Sequence, residues 1–146
     1  AQRVTGGGIV FHSPNDLVLC ICGWIDDPYF PKGLKEKVEW LSTLIQKAAN
    51  NCGITLYRKD TDAVQNTDYC NSYSNPYELY YNNEKIVALT IRRYKDRFII
   101  QGEIHIGNNH VDFKNYYSYK AYFSKGLNIE PKILQKAIFQ LLPQKS

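Results

Sequence analysis

No apolar run in this 146-residue chain approaches the length of a membrane span, and its start shows no basic-then-apolar signal pattern. Those absences argue against a membrane partner and set the expectation of a reduced compartment, the cytoplasm or an organelle matrix. The basic residues never gather into one long stretch: Arg58-Lys59, Arg92-Arg93, Lys95 and Arg97 are scattered, and the net charge is only +4. A nucleic-acid footprint is therefore not demanded, and no nucleic-acid partner is expected. An acidic protein would suit the charge equally well. Cysteine is scarce, at four residues, and methionine is absent. Cys20 and Cys22 lie in an apolar run as C-x-C, so both should face one side of a strand. No His or Cys at metal spacing accompanies them, which makes zinc improbable, and no metal site is expected. The default is free thiols, with most cysteines acting as small core residues. No internal repeat or low-complexity tract divides the chain, so residues 1–146 read as one domain, large enough to bury a core without disulfides.

What is present has clear periods. Ile9 to His12 and Asp16 to Trp24 read as short strands around a Ser-Pro-Asn turn. From Leu34 the period changes: Leu34, Val38, Leu41, Ile45, Ala48, Ala49 and Cys52 form a helical stripe that Gly53 stops. Ile54 to Tyr57 reads as a strand, and Arg58 to Pro76 as a long polar loop of the kind that often carries function. Strands are expected over Tyr77 to Asn82, Lys85 to Arg93 and Arg97 to Ile106, turned by Asn82-Asn83 and Lys95-Asp96. A last helix spans Glu130 to Leu142, with Pro131 in its first turn. Tyrosine is abundant, at 12 residues, and crowds 69–81 and 116–122, where it reads as cover for a sheet. Together these elements predict an α+β fold: a mixed, mainly antiparallel sheet carrying helices on one face.

The chemistry concentrates in three segments. Gly6, Gly7 and Gly8 leave main-chain N–H groups open to a small, polar, phosphorylated or carboxylated ligand. Arg3 and Thr5 precede them, and His12 closes the segment. The second runs from Cys70 through Asn75-Pro76-Tyr77 to Glu78-Leu79, and the third from Lys85 to Arg93 and on to Gly102. His12 alone would suit a hydrogen-bonded structural histidine, Lys85 a solvated hairpin lysine, and Cys70 an inert loop thiol as readily as a nucleophile.

Taken in order, Arg3-Val4-Thr5-Gly6-Gly7-Gly8-Ile9-Val10-Phe11-His12, Cys70 to Leu79, and Lys85-Ile86 resemble the lipoate–protein ligase and octanoyltransferase family. That family shares its catalytic fold with biotin–protein ligases. The resemblance covers nearly the whole chain and implies transfer of an octanoyl or lipoyl group to a lysine of a lipoyl-domain protein. It implies Lys85 as the catalytic lysine, Cys70 as the acyl-carrying nucleophile of octanoyltransferases with a loop cysteine, and His12 as a supporting group. Arg3, Thr5, Gly6 to Gly8, Glu78, Ala88 and Gly102 would line the substrate site. A thiolate nucleophile gains from a nearby ammonium, and each backbone N–H facing an oxyanion is worth about 3 kcal/mol. The donor would be octanoyl-acyl carrier protein, with no cofactor. An ATP-dependent ligase using free lipoate or octanoate with ATP and Mg2+ is the alternative, and a non-catalytic acyl- or acceptor-binding relative is a third.

The chain departs from the family pattern in places. Where small residues and Gly-x-Ala usually follow the lysine, it has Val87, Ala88, Leu89 and Thr90; Gln101 stands where a histidine is common; Gln2 replaces a second arginine. The family's strands before the glycine motif are missing, which implies either a piece of a longer protein or a reduced relative needing a partner chain.

Overall fold

Residues 17–24 alternate between half-buried and exposed at every step, as a strand with one covered face must. In the computed structural model, which describes residues 12–59, 76–111 and 122–143, this is β1 (Leu17–Trp24). It is followed by α1 (Leu34–Asn51), β2 (Leu79–Tyr81), β3 (Glu84–Tyr94), β4 (Arg97–Ile104), β5 (Asn109–Val111), β6 (Tyr122–Ser124) and α2 (Pro131–Leu141). The main sheet has the order β1-β4-β3-β2, with every neighbour antiparallel, and β5 pairs with β6 separately. The α+β architecture expected from the sequence is the one observed.

β4 is the strand on which the register turns. Ile100 lies between Ile21 and Ile91, Gly102 between Leu19 and Leu89, and Ile104 between Leu17 and Val87. These positions share a core with Val38, Leu41, Ile45 and Ala48 of α1 and with Leu134 and Ile138 of α2. Gly102 has a packing reason: a Cβ there would stand 2.4 Å from Leu89 Cδ2 and 3.1 Å from the Ala88 carbonyl.

The turns follow the sequence. Asn82 and Asn83 both take positive φ, 49° and 65°, as a two-residue hairpin turn requires. Tyr57 locks that turn, its hydroxyl accepting the Asn83 N–H at 2.9 Å and donating to Asn83 Oδ1 at 3.0 Å.

Several expectations need correction. Residues 54–57 do not form a strand: only Tyr57 bridges, to Tyr80, because the Ile54 N–H is spent on the Ala49 carbonyl at the helix end. The strand expected over Tyr77 to Asn82 shrinks to Leu79–Tyr81, with a register shift between Leu79 and Tyr80. His12 lies outside any strand, and the rest of the strand expected at Ile9 falls outside the described residues. β4 stops at Ile104, after which Ile106 makes a lone parallel bridge to Leu127. Cys20 and Cys22 share a face as expected but are exposed rather than core, with sulfurs 3.9 Å apart.

One charged residue inside α1, Lys37, is fully buried. The Lys37 ammonium donates to the carbonyls of Ile25 and Lys32 at 3.0 Å each, and to that of Pro31. Its three N–H groups thus tie the 25–32 segment to the helix, above the Phe98 ring. Phe30 completes the seam, stacked edge-on against Trp40 and Phe98 at 5.3 and 5.1 Å. Lys37→Met keeps the stem but strands three carbonyls, so it is expected to cost about 3 kcal/mol in urea unfolding; an unchanged midpoint would refute that role.

Candidate functional site

Because side chains alternate along β4, Gln101 and Glu103 project opposite Ile100 and Ile104, on the sheet face away from the core, and His105 follows directly after the strand. Glu103 sits between Val18 of β1 and Ala88 of β3, so only small and apolar neighbours flank it across the sheet. Its carboxylate is nevertheless 5% exposed. Glu103 Oε1 lies 3.2 Å from His12 Nδ1 and 3.2 Å from His105 Nδ1.

Asp16, at the start of β1, completes the group. Its Oδ2 lies 3.3 Å from His105 Nδ1 and accepts the Ser13 N–H at 2.6 Å; its Oδ1 accepts the Ile106 N–H at 2.9 Å. Burial alone would raise the Asp16 pKa, but the hydrogen bonds from His105, Ile106 and Ser13 outweigh it and lower the value from 3.8 to about 2. Burial would likewise lower the pKa of His105; Asp16 and Glu103 outweigh it and raise the value above 6.5, with Lys85 opposing. His105 is therefore the proton-holding centre between two carboxylates, and Lys85 is near enough to be felt.

Lys85 is the second residue of β3. It is buried, and its ammonium lies 2.9 Å from Glu78 Oε2, whose own side chain is 1% exposed. A buried pair of this kind costs desolvation, and removing either partner alone leaves a stranded charge. The register shift at Leu79/Tyr80 sits between the two elements and accompanies the approach of Glu78 to Lys85.

The structure thus brings together His12, Lys85, Glu78 and Ala88 of the expected site. Glu78, expected to line the substrate site, pairs with Lys85. Gly102 packs toward Leu89, on the helix side. Cys70, Arg3, Thr5, Gly6, Gly7 and Gly8 lie outside the described residues. Asp16, Glu103 and His105 were missed. Their signal was alternation: Gln101, Glu103 and His105 interleave with Ile100, Gly102 and Ile104. Cys20 is a poor rival for Cys70, since partial burial and the Cys22 thiol raise its pKa above 9.0.

Residues 1–133 match the lipoyl protein ligase A/B catalytic-domain family. The chain belongs to that family. The biotin/lipoate ligase fold is shared by solved structures of low identity. A candidate lipoate protein ligase of T. acidophilum with bound lipoic acid aligns over 95% of this chain and 55% of its own, at 14% identity and a TM-score of 0.65. Lipoate-protein ligase A bound with ATP gives the same coverages and TM-score at 13% identity. The biotin acetyl coenzyme A carboxylase synthetase of Helicobacter pylori, with biotinylated ATP, aligns over 96% of this chain and 56% of its own, at 13% identity and TM-score 0.55. The chain therefore spans about half the length of these lipoate and biotin ligase structures. No protein of curated function matches the sequence. Within this family fold, Lys85 opens β3 and the His12–Glu103–His105–Asp16 group lies at the junction of β1, β3 and β4.

The cluster makes stability depend on pH in both directions. Asp16, depressed to about 2 from 3.8, stabilises the fold above pH 3.8 and loses that contribution as the pH falls toward 2. His105, raised above 6.5, contributes fully below pH 6.5 and loses its contribution as the pH rises through its folded value. Urea melts should therefore show the cluster's full contribution between 3.8 and 6.5. Asp16→Asn should remove about 2 kcal/mol at pH 6 and flatten the acid limb; an acid limb identical to wild type would refute the assignment.

Proposed function

We propose that this chain attaches octanoyl or lipoyl groups to a lysine of a lipoyl-domain acceptor protein. The observation that carries the reading is the buried Lys85–Glu78 pair at the head of β3, beside the His12–Glu103 contact. Glu78 holds the ammonium of Lys85 in place, and an N–H of that ammonium not spent on Glu78 is the group that would face a polarised acyl carbonyl or a thiolate. His12 Nδ1 lies 3.2 Å from Glu103 Oε1, which sets the ring beside that carboxylate and leaves Nε2 as the nitrogen that would accept a proton from the attacking amine. His12 has 47% of its side chain exposed, so it is accessible to a partner.

In the preferred form, the Cys70 thiolate takes the acyl group from octanoyl-acyl carrier protein as a thioester, and the acceptor lysine then displaces the thiolate. Among the described residues, Lys85 pairs with Glu78, and the neighbouring group sets Glu103 and Asp16 against His12 and His105. The second reading is an ATP-dependent ligase, supported by the shared fold with an ATP-bound lipoate-protein ligase A. There Lys85 would hold a phosphate oxygen, and ATP with Mg2+ would supply the activation of the free acid.

The deciding experiment is intact mass after mixing the protein with octanoyl-acyl carrier protein without ATP. A hydroxylamine-labile octanoyl increment is expected, absent in Cys70→Ala and formed at least about 10²-fold more slowly in Lys85→Ala. An unmodified wild-type protein would sink the thioester route; acceptor labelling only with ATP and lipoate would establish the ligase.

A further inference from the structure

Outside the acyl chemistry, the cluster has the composition and spacing of a cation site. One donor atom from each of His12, Asp16 and Glu103 lies within 4.8 Å of the other two. We propose that His12, Asp16 and Glu103 bind a divalent transition cation of the zinc type, with His105 holding the two carboxylates from behind.

The spacing supports it. Bonds of about 2.0–2.2 Å from zinc to imidazole nitrogen and carboxylate oxygen put neighbouring ligands about 3.3–3.5 Å apart on a tetrahedron. The His12 Nδ1 to Glu103 Oε1 separation is 3.2 Å, already close to such an edge. It is also longer than the roughly 2.7–2.9 Å of a strong charge-assisted hydrogen bond. Closing the wider separations requires rotation chiefly of His12, the exposed member of the three.

The support behind the ligands is equally specific. His105, 2% exposed, reaches both carboxylates through one nitrogen, at 3.3 Å to Asp16 and 3.2 Å to Glu103. The backbone N–H groups of Ser13 and Ile106 fix the Asp16 carboxylate. Carboxylates braced in this way raise metal affinity, and loss of such bracing usually costs 10- to 100-fold. One imidazole with two carboxylates favours Zn2+ or Co2+ over Mg2+, which prefers oxygen ligands and retained water. The half-exposed His12 ring leaves a route in from solvent.

The readout of the site needs no turnover, so it is tested apart from the acyl-transfer reading, although a His12 ring that ligates through Nδ1 carries its proton on Nε2 and is then not the base of that reading. Tag-free protein carrying Cys20→Ser and Cys22→Ser, to remove the exposed thiol pair, is titrated with Co2+ and then with Zn2+ in competition, without nucleotide. Expected is one equivalent of Co2+ giving visible ligand-field bands without a thiolate charge-transfer band, displaced by Zn2+. His12→Ala, at an exposed position where folding is preserved, should weaken binding at least tenfold. Glu103→Gln should do the same, with circular dichroism checking its fold. Binding unchanged in His12→Ala, no saturable Co2+ signal, or a thiolate band in its place would each overturn the proposal. So would a signal that appears only with ATP present, since the ion would then belong to the nucleotide.

Discussion

The carboxylate of Asp16 is the point at which the two ends of the site are fastened together. It accepts N–H groups from Ser13, three residues earlier, and from Ile106, ninety residues later, while facing His105. Backbone groups that would otherwise be left without partners where β1 begins and β4 ends are satisfied by one side chain. The segment carrying His12 is thereby set against the strand carrying Glu103. Without that fastening, the approach of His12 to Glu103 would depend on the conformation of an exposed loop.

From that fixed point the charges organise themselves by necessity. A carboxylate as buried as Glu103 or Glu78 is tolerated only with a cationic or donating neighbour. Glu78 has the Lys85 ammonium, and Glu103 has His12 and His105. Lys85 opposes the proton on His105 while Asp16 and Glu103 favour it. The two groups are therefore one electrostatic unit, in which a change at either carboxylate alters the field at the lysine. Lys37 solves the same problem differently, through three main-chain carbonyls. That difference separates a lysine that closes a seam from one that can serve chemistry.

Legibility followed period and type. The helix from Leu34, the long hairpin at Lys95-Asp96 and the Asn82-Asn83 turn were readable because their patterns extend over many residues or require a special φ. The bridge at Tyr57 and the pair β5 and β6 were not, because short pairings are decided by where neighbouring backbones fall. Lys85 and His12 were found through ordered motifs. Glu103 and His105 went unread because a polar alternation in a strand looks the same whether its open face meets water or a buried charge. Asp16 was taken as the head of a strand, and its role depends on a contact ninety residues away.

The register also explains the bulk of Leu89. Leu89 stands at the unrestricted middle position of the family's Gly-x-Ala, and in isolation its bulk suggests an obstructed pocket. Yet Leu89 belongs to the core, and its cross-strand partner is Gly102, whose absent side chain makes the room Leu89 fills. Bulk at one position and its absence at the other are a single packing solution on the helix side of the sheet. Ala88, one residue earlier, faces the other way and lies opposite Glu103. The small residue is thus kept where it adjoins the charged cluster, while the large one is spent on the core. Two neighbouring side chains on one strand answer to different constraints, so the bulk of Leu89 does not by itself argue against a working site beside Lys85.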